Sequence, residues 1–312
     1  MNKQEAISIL KEHKQEHVIK RLEALGDDAA KKLISQVAMI DWKVVESIKD
    51  KAEDKGDAKK IEPLAAVEIN DIKKNKEKYT AKGVEAIKNG KVAAVLLAGG
   101  QGTRLGLDKP KGTLNVGVNK DLFLFGQLIH NLMDVVNQTG AWVPLYIMTS
   151  DKNNKDTVEF FEEHNYFGYD KDYVKFFIQS MVPSVDYNGK LYMESTDSLA
   201  MSPNGNGGWF LSLIAAGLDK DMHDKGIEYV NVFAVDNILQ RIADPAFIGA
   251  TILAGAECGS KVVRKCEPAE KVGVMCRVNG HPSIIEYYEM SEELASLRRE
   301  DGELTYGFGV IL

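Results

Sequence analysis

Residues 92–106 read VAAVLLAGGQGTRLG, seven aliphatic residues from Val92 to Ala98 that stop abruptly at Gly99-Gly100. An unbroken apolar run closed by glycines has the pattern of a strand buried on both faces, which is the strand of a parallel sheet. Downstream of it, candidate strands at 143–148, 173–178, 229–235 and 261–263 alternate with helical patterns around 121–138, 153–164 and 207–224. Alternation of that kind gives an α/β class with a Rossmann-like sheet. From about residue 270 the pieces become shorter, as at 272–278 and 283–287. They add antiparallel strands and make the expected sheet mixed.

Upstream, Ile7, Leu10, Val18, Leu22 and Leu25 recur at mostly helical spacing, and Gly26 stands where a C-terminal helix cap is wanted. Asp28 then opens a second helix carrying Leu33, Ile34, Val37 and Ile40. The charged stretch from Lys49 to Lys60 reads as a solvated face or loop. The expected division is a helical N-terminal region, 1–90, and an α/β domain, 91–312. His13 and His17 have the i, i+4 spacing of metal ligands but no third ligand nearby, so they read as surface histidines. His164, in Glu162-Glu-His-Asn165, reads as a helix C-terminus for the same reason.

The 312-residue chain carries 39 Lys and Arg against 46 Asp and Glu, a net charge of −7, which gives it no general attraction to nucleic acid or anionic membrane. A polyanionic ligand therefore needs a local site. Cys258, Cys266 and Cys276 fit no zinc or redox spacing and read as structural thiols of a reducing compartment. The N-terminus has no signal-type apolar segment, and Val92–Ala98 is far short of the roughly 20 residues of a membrane span. The expected location is the cytoplasm.

Glycines directly after a buried strand let backbone N–H groups approach an anion, because no Cβ intervenes. Their spacing narrows the chemistry. Gly100, Gly102 and Gly106 form G-x-G-x-x-x-G, one residue too long for the dinucleotide fingerprint, with Leu105 where its third glycine would fall. A Walker-type G-x-x-x-x-G-K-[ST] is absent as well. The loop instead gathers cations, Arg104, Lys109 and Lys111, around Pro110. Cations there suit a triphosphate, whose leaving oxygens accumulate charge during displacement at phosphorus.

LLAGGQGTRLG followed by Pro110-Lys-Gly112 resembles the signature of the UDP-N-acetylhexosamine and UDP-sugar pyrophosphorylases, within the wider UDP-sugar uridylyltransferases. The likeness runs on through Phe161–Asn165, Phe177-Ile-Gln179, Met201–Gly208, Val235–Leu239, Ala243-Asp-Pro245, Val272-Gly-Val274 and Ile285-Glu-Tyr287. It covers roughly 90–312 and implies a nucleotidyltransferase, GT-A-like fold. The resemblance implies that Ala98, Gly99, Gly100 and Gly102 contact the nucleotide through backbone, that Gln179 reads uracil, and that Gly205 touches the base region. It further assigns Asn206, Gly273 and Glu286 to the sugar, Arg104 and Lys111 to catalysis, and Asp236 to Mg²⁺. Asp236 also ends an apolar strand, at the sheet edge where ligands of open α/β folds gather.

The implied substrates are UTP and a hexose 1-phosphate, with N-acetylglucosamine as the sugar, or alternatively glucose or a broader set of hexoses. Nucleotide-sugar binding without turnover is the alternative from another class. Members of the family continue beyond the point where this chain ends, at Val310-Ile-Leu312, and that apolar ending reads as an interrupted strand. The sequence leaves the oligomeric state open.

Overall fold

The computed structural model describes residues 1–53, 60–102, 106 and 108–310. In chain order the elements are α1 (Lys3–Glu12), α2 (Glu16–Ala24), α3 (Asp27–Ala38), α4 (Trp42–Glu53), β1 (Ile61–Pro63), α5 (Ile69–Lys88), β2 (Val92–Leu97), α6 (Leu124–Thr139), β3 (Leu145–Thr149), α7 (Asn154–Glu163), β4 (Val174–Ile178), β5 (Met181–Pro183), β6 (Met201–Pro203), α8 (Trp209–Ala215), α9 (Leu218–Asp224), β7 (Tyr229–Ala234), α10 (Pro245–Leu253), β8 (Val262–Arg264), β9 (Val274–Val278), β10 (His281–Ile285), α11 (Glu292–Ser296) and β11 (Phe308–Val310). They form two compact units, Met1–Asp57 with Gln179–Trp209, and Ala58–Ile178 with Phe210–Leu312.

The larger unit is α/β. Its central sheet has the order β4-β3-β2-β7, every pairing parallel. All six residues of β2 and all five of β3 are buried, as continuous apolar runs in a helix-covered sheet should be. Helix α6 buries Leu124, Phe125, Leu128, Ile129, Leu132, Val135 and Val136, a 3.6-period stripe, and Gly140 closes it with φ 68° in the left-handed region. Each of these large side chains contributes about 1.5–3 kcal/mol by leaving water. Helices α5 and α10 touch backbone to backbone. A Cβ on Gly83 would lie 1.9 Å from the Pro245 carbonyl oxygen, and one on Gly249 would lie 1.8 Å from that of Tyr79.

Antiparallel pairing is kept out of the central sheet. It forms a second sheet, β1-β9-β11-β8 with β10 also on β9, over a small core of Val274, Cys276, Ile285, Met290 and Tyr306.

The smaller unit is built on α1 to α4, whose core joins Ala6, Leu10, Val18, Leu22, Leu33 and Val37 to Leu191 and Leu199 of the 179–209 segment. Two glutamines act as surrogate strand partners for that segment. Gln15, 1% exposed, accepts from the Leu191 N–H and donates to the Gly189 carbonyl, and Gln36 accepts from the Leu199 N–H. A buried amide with both ends satisfied in this way supplies the contacts a sheet ladder otherwise gives.

Four local expectations change. Gly26 does not cap α2; it is the N-cap of α3 with φ −66°, and the break in the first helix falls earlier, at Lys14, φ 58°. The helical pattern at 207–224 is interrupted by Gly217, φ 69°, which separates α8 from α9. The compact units do not follow the 1–90 and 91–312 division, because α5 packs on α10 and residues 179–209 join the N-terminal helices. The expected loop at Lys49–Lys60 begins inside α4, and residues 54–59 lie outside the described residues.

Candidate active site

In the larger unit the chain leaves β2 for β3 and β4 on one side and reaches β7 on the other. The order therefore reverses between β2 and β7. That is the switch point at which open parallel sheets leave a crevice beyond the strand ends. The glycine loop follows β2, and Asp236 follows β7 by two residues.

The loop is held from two directions. Lys111 and Gly102 donate their N–H groups to the carbonyls of Gly100 (3.5 Å) and Lys109 (3.1 Å), so Gln101 and Pro110 lie opposite one another as a bridge. The Gly102 N–H is thus used inside the loop. From beneath, Asn153 donates to the carbonyls of Ala98 (3.0 Å) and Gly100 (3.3 Å) and accepts from the Ser150 N–H (2.7 Å). Ala98 is buried, its own N–H given to the Met148 carbonyl. A Cβ at Gly100 would meet nothing within 4 Å among the described residues, so the space there is open.

Lys111 and Asp236 are brought together as an ion pair between the lysine Nζ and the carboxylate Oδ1. Lys111 exposes 29% of its side chain and Asp236 exposes 70%. Its position has a packing cause: Gly112 has no side chain because the Phe125 ring fills that space, 2.2 Å from where a Cβ would stand. The Asp236 turn is anchored by Asn131 of α6, which donates to the Ile238 (2.8 Å) and Gln240 (3.1 Å) carbonyls. Among the described residues no three His, Cys, Asp or Glu side chains gather as a metal cage. The donor set nevertheless fits magnesium, which takes one or two carboxylates and completes its octahedron with phosphate oxygens and water. Arg104 lies outside the described residues.

Gly273 and Glu286 meet across the β9–β10 hairpin, one step beyond the Val274–Ile285 pair. A Cβ on Gly273 would be 3.2 Å from Glu286 Oε1, so the glycine makes room for the carboxylate.

In the smaller unit Gln179 is 5% exposed and gives its side-chain N–H to the Gly205 carbonyl at 2.7 Å. That bond fixes which end of the amide is which and leaves Oε1 as an acceptor. Gly205 has φ 80°, a conformation that disfavours a side chain, and Asn206 follows it exposed in a short 3-10 turn.

The side chains set aside by the sequence reading have structural partners. His13 stacks on Trp42 at 4.0 Å and pairs with Glu46 beside a hollow of about 220 Å³, while His17 contacts the Leu191 carbonyl. His164 ends α7 within a cluster of Phe123, Phe160 and Phe167. Cys276 is buried, and burial pushes its thiol up despite a backbone hydrogen bond, whereas Cys258 and Cys266 are exposed. Sequence reasoning missed Asn153 and Asn131. The only available signal was an asparagine ahead of a helix, which reads as a cap; yet Asn153, at the N-cap of α7, makes no side-chain capping bond.

A sequence profile described as UTP-glucose-1-phosphate uridylyltransferase matches residues 29–302. UDP-N-acetylhexosamine pyrophosphorylase-like protein 1 of Homo sapiens is 45% identical over 242 residues, 76% of this chain and 48% of that protein. UDP-N-acetylglucosamine pyrophosphorylase of Saccharomyces cerevisiae is 41% identical over 248 residues, 78% of this chain and 52% of that protein. The chain therefore spans about half the length of these curated relatives. Among solved structures, the uridine diphosphate N-acetylglucosamine pyrophosphorylase of Trypanosoma brucei superposes with a TM-score of 0.85 at 29% identity, over 100% of this chain and 66% of that one. No described helix is long and apolar enough to cross a membrane.

Proposed function

We propose, from the premise that this chain belongs to the UTP-glucose-1-phosphate uridylyltransferase family, that it transfers UMP from UTP to N-acetylglucosamine 1-phosphate and releases pyrophosphate. The observation that carries this reading is the Lys111–Asp236 pair beside a glycine loop at the switch point of a parallel sheet. The sugar is taken from the Saccharomyces cerevisiae relative, named for N-acetylglucosamine, and the human relative's name agrees at the level of an N-acetylhexosamine.

A sugar phosphate, with a second pKa of about 6, is largely dianionic at pH 7, so no general base is needed to activate it. One of its oxygens forms the new bond to the α-phosphorus of UTP. The bond from that phosphorus to the bridging oxygen breaks, and its electron pair leaves with pyrophosphate. Lys111 neutralises charge on the leaving group, and Arg104 is assigned the same task by resemblance. Asp236 would hold Mg²⁺, which when bound supplies charge neutralisation on phosphate oxygens. Gln179, its amide N–H engaged by Gly205, is left with an acceptor suited to the uracil N–H. Asn206 and Glu286 offer groups to sugar hydroxyls, with Gly273 leaving space.

Pyrophosphate release is the test, with UTP and Mg²⁺ against N-acetylglucosamine 1-phosphate, glucose 1-phosphate and no sugar. Release with the N-acetylated sugar is expected. Release with glucose 1-phosphate alone would change the substrate, and no release with either sugar would overturn the enzymatic reading of this chain.

A further inference from the structure

Asn153 has 0% exposure and spends its amide on backbone, with both Nδ2 hydrogens and Oδ1 engaged. Its orientation is determined by the network. Oδ1 receives the Ser150 N–H at 2.7 Å, and Nδ2 faces two carbonyl oxygens, those of Ala98 at 3.0 Å and Gly100 at 3.3 Å; a reversed amide would set oxygen against oxygen. A trans peptide is planar, with its C=O and N–H pointing in opposite directions. Holding the Ala98 carbonyl therefore directs the Gly99 N–H away from Asn153, and holding the Gly100 carbonyl does the same for the Gln101 N–H. The N–H groups of Ala98 and Gly102 are already spent, on Met148 and Lys109.

We infer that Asn153 is a positioning residue that makes the Gly99 and Gln101 N–H groups the paired backbone donors to the nucleotide. This rests on the uridylyltransferase reading, deepens it, and shifts the loop's donors from the glycines of the motif to an alternating pair that includes a non-glycine. Among neutral side chains of this length only the asparagine NH₂ offers two donors, one for each carbonyl, beside an oxygen that accepts the Ser150 N–H. Asn153→Asp keeps the shape, removes both donors and sets a carboxyl against two carbonyl oxygens.

The test measures UTP binding calorimetrically with Mg²⁺ on the 312-residue chain and on N153D and N153A, together with amide NMR shifts of the wild type on adding UTP. The two substitutions are expected to weaken UTP binding on the order of ten- to a hundredfold, the scale of two lost oriented hydrogen bonds. Where turnover is measurable, KM for UTP rises while KM for the sugar phosphate holds. Thr157→Val is the structural control, because the Thr157 hydroxyl is buried with no partner among the described residues; it should leave UTP affinity unchanged. The Gly99 and Gln101 amides should move on binding, a readout in the wild type that needs no variant to fold. Unchanged affinity in folded N153D, or shifts at Gly100 and Gly102 in place of Gly99 and Gln101, would overturn this inference alone. A wild-type chain that binds no UTP would overturn the uridylyltransferase reading along with it.

Discussion

Two aspartates of the larger unit are paired with lysine, and their surroundings set them to opposite tasks. Asp221 of α9 receives three donors, Lys225 at 2.5 Å, Lys175 at 2.6 Å and the Tyr146 hydroxyl at 2.7 Å, and exposes 19% of its side chain. Asp236 exposes 70% and has one ion-pair partner among the described residues, Lys111. A carboxylate whose lone pairs are filled by its own protein is a strut, tying β3, β4 and α9 together. One that keeps most of its oxygen surface in solvent, beside a glycine loop at a sheet switch point, has capacity left for a cation or a phosphate-bound metal. The difference lies in saturation and exposure, since both are Lys–Asp pairs.

The sharpest way to break this comparison is to remove one member of the Lys111–Asp236 pair. Lys111→Ala is expected to lower kcat roughly 100- to 1,000-fold, the scale for losing one preorganised charge on a leaving group. Thermal stability should be nearly unchanged, because an exposed ion pair contributes only about 0–1 kcal/mol. Asp236→Asn should match it in activity and stability. A large fall in melting temperature in either variant would make this pair a strut as well. Gly100→Ala comes next. Its Cβ meets nothing within 4 Å among the described residues, so the fold should be intact, while UTP affinity drops about tenfold or more through crowding of the approach to the loop. Equal affinity would move the ligand away from this face.

What the sequence disclosed follows the same line. Groups that act on a ligand through backbone, or from a strand end, leave a mark in composition: glycines after the apolar run at Val92–Ala98, an aspartate closing Tyr229–Ala234, a lysine between Pro110 and Gly112. The parallel sheet was legible for a like reason, since burial on both faces of a strand yields a continuous apolar run. Parts that hold others in place leave no such mark. Asn153 is an asparagine in front of a helix and reads as a cap, and Asn131 is a polar residue inside α6. Gln15 and Gln36 replace strand partners from the surface pattern of helices, so the assignment of 179–209 to the helical unit had no local signal. Gly83 and Gly249 resemble ordinary helix-weakening glycines until α5 and α10 are seen to share backbone contact. Such long-range partners are set by tertiary proximity, which residue periodicity does not encode.

Asp221 sharpens the comparison from the stability side. Asp221→Asn is expected to cost about 2–3 kcal/mol at neutral pH, the scale of losing hydrogen bonds to a charged group, with lysines 175 and 225 left facing one another. Turnover at a temperature where the variant is folded should persist. Acid gives a smaller and graded version of the same effect. Burial resists ionisation of Asp221, but hydrogen bonds from Lys175, Lys225 and Tyr146 outweigh it and hold the carboxyl well below the usual carboxylate range. Because the folded value lies below the unfolded one, the stabilisation is fully present above the ordinary value of 3.8 and is lost as pH falls from there through the folded value. Chemical denaturation of wild type and D221N between pH 7 and pH 3 should therefore show a constant gap down to about pH 5 that narrows below it. A gap that stays constant to pH 3, or that narrows already between pH 7 and pH 5, would mean that Asp221 is not the saturated ion its three donors make it.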